Sequence, residues 1–164
     1  MTSDFVLADC GIRQLHAQFV DAVWRQDSDA FAGCFARDGV WKIAGMEMAG
    51  RDAIAEGCVK LLGRCERIQL VTGQPILEVE DSTAIGRLQV TEFAKKKDGS
   101  SAITFGTYYD RYRAEDGAWR FQSRHWSMAY HGPVDMSGEY IVPPDYGAFP
   151  AFPGPDEATF VRKA

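Results

Sequence analysis

The feature that most constrains this chain is a series of long, strand-like runs in its second half. Thr83–Phe93, Ala102–Arg113 and Ala118–Tyr130 are rich in β-branched and aromatic residues. Only the charged loop Lys95-Lys96-Lys97-Asp98-Gly99-Ser100 and the turn Ala114–Gly117 separate them. Connections this short join antiparallel neighbours, because a parallel pair needs a crossover of a dozen residues or more. Two shorter runs, Arg67–Thr72 and Ile76–Glu80, precede them, the second leading through Asp81-Ser82 into Thr83.

The first half reads differently. Ile12, Leu15, Phe19 and Val23 fall at helical spacing over Cys10–Arg25, with Asp9 as a candidate N-cap. A short second helix carries Phe31 and Phe35, and Asp38-Gly39 turns the chain into the β-rich run Val40–Ala44. Gly45–Gly50 reads as a hairpin or bend, and Arg51–Leu62 as a third helix stopped by Gly63. Helices followed by a long antiparallel meander predict an α+β fold. The expected form is a curved antiparallel sheet wrapped around the N-terminal helices, a cone enclosing one apolar pocket. Residues 1–131 form the expected domain. Residues 132–164, holding six of the 7 prolines among Tyr140, Tyr146, Phe149, Phe152 and Phe160, form an extension. Disordered tails are poor in aromatics, so this one is expected to pack on the pocket mouth or on a neighbouring subunit.

Strand alternation selects the inward face. Leu88, Val90 and Glu92 share one face of their strand, and Thr104, Gly106, Tyr108, Asp110 and Tyr112 share one of theirs. Arg124, Trp126, Met128 and Tyr130 share a face of the last. Aromatics interleaved with a few polar groups are the make-up of a small-molecule site, and a carboxylate or guanidinium among them needs a partner. For any single aromatic, plain core packing is the commoner role.

Composition excludes other classes. A net charge of −5 does not suit a partner with a phosphate backbone or an anionic lipid surface, so neither nucleic acid nor membrane is expected. Cys10, Cys34, Cys58 and Cys65 show no CxxC spacing and only His16, His125 and His131 could join them, so no metal site is expected. Free thiols suit a reducing cytoplasm, and the N-terminus has no signal-peptide pattern. No Gly-rich phosphate loop or Ser–His–Asp pattern occurs. Cofactor-free acid–base chemistry is the simplest catalytic option.

Several stretches resemble the SnoaL-like branch of the nuclear-transport-factor-2-like superfamily: Phe31–Trp41, Gly50-Arg51-Asp52-Ala53-Ile54, Tyr108–Arg113 and Asp116–Arg124. Within it the likeness is to the hexachlorocyclohexane dehydrochlorinase and scytalone dehydratase groups, cofactor-free lyases. The dehydrochlorinase group uses a His–Asp dyad as base. Gapless matching places Trp24 at the aspartate position and Gln69 at the histidine position, and neither can abstract a proton. The same matching keeps a pocket arginine at Arg124 and a tryptophan at Trp41. The resemblance implies a pocket retained and a dyad lost, and self-association as a homodimer or homotrimer.

The candidates for chemistry follow. Asp110, between Tyr108 and Tyr112, is the first choice for a general base or acid, against a structural pairing with Arg124. Arg124 could neutralise developing negative charge, and Tyr108 could donate a proton. His16 lies on the helical line His16–Val20–Trp24, and His125 follows Arg124 with outward parity unless a bulge reverses it. Phe19, Trp24, Trp41, Gln69, Leu88, Val90, Glu92, Met128 and Tyr130 are the expected lining of a pocket for a small hydrophobic ligand. Three readings stay open: a cofactor-independent lyase, dehydratase or isomerase; a ligand-binding protein without turnover; and an interaction module.

Overall fold

The computed structural model describes residues 3–161, so residues 1–2 and 162–164 of the expected domain and extension lie outside it. Helices α1 (Ser3–Arg25), α2 (Ser28–Gly33) and α3 (Arg51–Leu62) accompany strands β1 (Phe35–Ile43), β2 (Met46–Ala49) and β3 (Cys65–Thr72). Then come β4 (Ile76–Glu80), β5 (Thr83–Lys96), β6 (Ser101–Glu115) and β7 (Ala118–Gly132). One seven-stranded sheet runs in the order β2-β1-β7-β6-β5-β3, and β4 also pairs with β5.

Local chemistry explains most boundaries. The α1 helix begins at Ser3, ahead of the expected Cys10. Asp9 is therefore no cap; it lies inside the helix and accepts from Arg13 one turn on, at 2.7 Å. Ala8, Ile12, Leu15, Phe19, Ala22 and Val23 form the buried stripe of α1. Asp27 caps α2 by accepting from the Ala30 N–H at 2.9 Å. Gly45–Gly50 resolves into the β1–β2 hairpin turn and β2 itself.

Two features correct the expected antiparallel meander. First, β1 pairs with β7 in parallel, through Trp41 opposite Arg124 and Lys42 opposite His125, so the sheet is mixed. The long excursion through β2, α3 and the remaining strands allows it, since sequence-distant strands carry no hairpin constraint. Second, β7 carries two bulges. Gln122 and Ala129 are each extra residues opposite an unbroken β6, where Arg111 and Tyr112 face Ser123 and Phe121, and Gly106 and Phe105 face Met128 and Tyr130. The Ala129 bulge reverses the alternation. Tyr130, expected inward, instead stacks with Phe105 on the outer face at 5.1 Å between ring centroids.

The core lies between α1, α2 and the inner face of the sheet. Phe19, Phe31, Phe35, Trp41, Tyr108, Phe121 and Trp126 fill it, with Phe31 against Trp41 at 4.9 Å and Tyr108 against Trp126 at 4.8 Å. The extension lies on its own chain, across the outer face of the sheet. Tyr109 packs against Tyr146 and Phe152 at 5.2 and 5.5 Å, Arg111 stacks on Phe152, and Thr159 accepts from the Gly45 N–H.

Candidate active site

Asp110 and Arg124 are opposite one another on β6 and β7, both facing inward. Arg124 donates through Nε to Asp110 Oδ1 at 2.8 Å and through Nη2 to Oδ2 at 3.1 Å, a bidentate pair 0% and 1% exposed. Burial pushes the Asp110 carboxyl up to about 6, against the opposing pull of Arg124 and Tyr112, so it remains ionised at neutral pH. The guanidinium is boxed by aromatic faces, with Tyr108, Phe121 and Phe19 at 3.9, 4.1 and 4.3 Å from its centre. Its Nη1 has no hydrogen-bond partner, and these ring faces are its compensation.

This corrects the expectation of a hollow interior around Asp110 and Arg124. Phe19, Tyr108 and Phe121 occupy that space, and Asp110, Arg124 and Tyr108 line none of the five main grooves. The Tyr108 hydroxyl lies 3.4 Å from Trp41 Nε1, and burial pushes it up to about 12, so it holds its proton.

The pair is nonetheless connected to a groove. Tyr112, two residues from Asp110 on the same face, donates its hydroxyl to Asp110 Oδ2 at 3.2 Å. The same hydroxyl lies 2.9 Å from His16 Nε2 on α1. An ionised carboxylate only accepts, so Tyr112 spends its proton on Asp110 and must accept from His16. His16 is thereby fixed as the Nε2–H tautomer, with its lone pair on Nδ1. Burial, then the positive charge of Arg124, holds the imidazole well below its ordinary range, so it is neutral at pH 7.

His16 is 5% exposed and forms the floor of a groove of about 620 Å³ between α1 and β3 with the loop that follows it. Ala17, Val20, Leu70 and Pro75 supply apolar walls, and Arg13 and Gln74 polar ones. Trp24 and Gln69 border the same groove. Both are exposed, Trp24 at 58%, so they form its rim rather than a buried lining.

The other candidates lie elsewhere. Leu88, Val90, Phe19 and Trp41 are core, and Met128 is partly buried against it. Glu92 sits on the inner face between Leu70 and Thr104, and burial raises its carboxyl. His125 keeps outward parity and lies under the extension, away from the α1 groove. Tyr112 was on the inward face but not among the candidates. Its i+2 spacing from Asp110 was the available signal; its alignment with His16 needed the helix placed. Among the described residues no group of His, Cys, Asp and Glu could hold a metal ion, and no helix is long and apolar enough to cross a membrane.

A family model described as a SnoaL-like domain matches residues 6–125. No curated protein matches the chain. Among solved structures, Rv3472 of Mycobacterium tuberculosis, of unknown function, is similar at 28% identity and a TM-score of 0.68, covering 74% of this chain and 72% of that one. A candidate scytalone dehydratase from Novosphingobium aromaticivorans is similar at 17% identity and a TM-score of 0.75, covering 84% of this chain and 100% of that one. A hexachlorocyclohexane dehydrochlorinase, LinA-type3, from Novosphingobium barchaimii is similar at 20% identity and a TM-score of 0.73, covering 86% and 98%. At these identities the last two show a shared fold.

Proposed function

This chain belongs to the SnoaL-like domain family, and from that membership we propose that it is a cofactor-independent lyase or dehydratase acting by acid–base chemistry on a small hydrophobic molecule in the α1 groove. The observation that carries the reading is the chain of hydrogen bonds from His16 through Tyr112 to the Asp110–Arg124 pair. His16 Nδ1 is the base. It takes a proton from the substrate while Nε2–H continues to donate to Tyr112, and the Asp110 carboxylate offsets the imidazolium charge that forms. Arg124 keeps Asp110 ionised and oriented. Arg13, on the polar wall of the groove, is placed to hydrogen-bond a substrate oxygen or a departing group. The resemblance puts the family's dyad at Trp24 and Gln69, on this same groove. His16, two helical turns from Trp24, thus supplies a base beside the one replaced.

A binding role without turnover is the second reading, favoured by Trp24 and Gln69 standing where a dyad would. One experiment separates the two. Melting shifts are measured against phenols, terpenoids and alicyclic alcohols and halides, and each hit is incubated and searched for product. The catalytic reading expects turnover that falls about 100-fold or more in His16→Gln, the usual weight of a general base. Hits bound by the wild-type protein but never turned over would establish the binder. We further infer a homo-oligomer located in the cytoplasm. The outer face of β3 and β5, where Val71 and Phe93 are exposed, supports the first, and the free cysteines support the second.

A further inference from the structure

The strand β1 leaves β7 at the Lys42–His125 pair. The extension rejoins the same edge only at Ala129, whose carbonyl accepts from the Ile141 N–H at 2.9 Å, and at the Tyr130–Tyr140 bridge. Between these points the β7 edge borders a gap of about 270 Å³. His125 and Ser127 line it from the same face of β7, and Ile141, Val142, Pro143 and Phe160 of the extension give it apolar walls. His125 and Ser127 are each only 7% exposed, yet among the described residues no hydrogen bond or ion pair reaches either side chain. Their polar atoms are not sealed from solvent, as Gln122 Oε1 and Arg124 Nη1 are, so two of them two residues apart on one wall present unspent bonding capacity to the gap.

We propose that this gap binds a small neutral molecule with an apolar body and one hydroxyl or carbonyl group. The volume sits just below the ~300 Å³ at which drug-sized pockets begin, which suits a one-ring ligand. A neutral imidazole and a serine hydroxyl each donate and accept, so together they match a hydroxyl. Burial holds His125 neutral, with Glu157 and Lys42 pulling in opposite directions. An anionic head group is not called for, because Lys42 is already paired with Glu47 at 3.2 Å. Apart from His125 the lining falls outside residues 6–125, the span of the family match, and β7 and the extension build it together.

The test uses phenol as probe, with benzoate as the charged comparison. The His125 ring resonances of the full chain are followed by NMR as each is added. Phenol is expected to shift them saturably, more tightly than benzoate and unchanged in His16→Gln, whose contacts lie on the opposite, inner face of the sheet. Binding should weaken at least tenfold in Ser127→Ala and in Ala158→Phe. Ala158 is an exposed lining residue, so the second variant fills the gap without touching the core. Resonances that do not move, equal affinity in Ala158→Phe, or a preference for benzoate would overturn the assignment.

Discussion

Replacing Tyr112 by Phe removes one oxygen and keeps the ring that packs on Phe121. Two hydrogen bonds go with it. The one to Asp110, at 3.2 Å, is charge-assisted but shares its acceptor with Arg124, so its net worth is about 1.5 kcal/mol, the low end for charged partners. The one from His16 is worth about 1 kcal/mol, and its loss leaves a buried N–H unpaired at a further cost of roughly 1 kcal/mol. The sum is about 3–4 kcal/mol, or roughly 6–15 °C in melting temperature for a domain of this size. Urea denaturation of the wild type, Tyr112→Phe, His16→Phe and the double variant measures it. Once His16 is gone its unpaired N–H penalty disappears, so the double-mutant cycle should show a coupling of about 1–2 kcal/mol. A Tyr112→Phe cost below about 0.5 kcal/mol, in the range of an ordinary surface change, would mean that the hydroxyl joins nothing and that the relay is an accident of proximity.

Two further outcomes follow from the same cluster. Arg124→Met leaves Asp110 buried without its cation and should cost about 3–5 kcal/mol by chemical denaturation, whereas adding Asp110→Leu should recover part of that loss. Stability against pH carries the second. Because the folded pKa of His16 lies below its unfolded value near 6.5, the unfolded chain takes up the proton first as pH falls. Wild type should therefore lose stability relative to His16→Gln below pH 6.5, by up to about 1.4 kcal/mol per pH unit until the folded pKa is reached. Asp110 acts oppositely, since its raised pKa favours the folded state toward acid; it is present in both proteins, so only its coupling to His16, 3.9 Å away, enters the difference.

The order of elements was legible because periodicity changes from helical to alternating at Gly63 and because short turns leave little topological choice. The inward parity of Asp110 and Arg124 followed from the same alternation. Three things were not legible. The parallel β1–β7 pairing joins segments far apart in sequence, and no local pattern records it. The bulges at Gln122 and Ala129 leave no signature in composition, yet the second moves Tyr130 to the other face. The filling of the interior around Arg124 depends on Phe19 from α1 meeting Tyr108 and Phe121 from the sheet, a matter of how the helix is docked. The role of Tyr112 was hidden for the same reason: its partner His16 is 96 residues away in sequence.

The state of the His16 imidazole tests the central claim most directly. A nitrogen-15 NMR titration of the wild-type protein should show Nε2 protonated and Nδ1 bare at pH 7, with the ring taking its second proton only below pH 6.5. A ring already charged at pH 7, or one carrying its proton on Nδ1, would contradict the account, because no base would then face the groove.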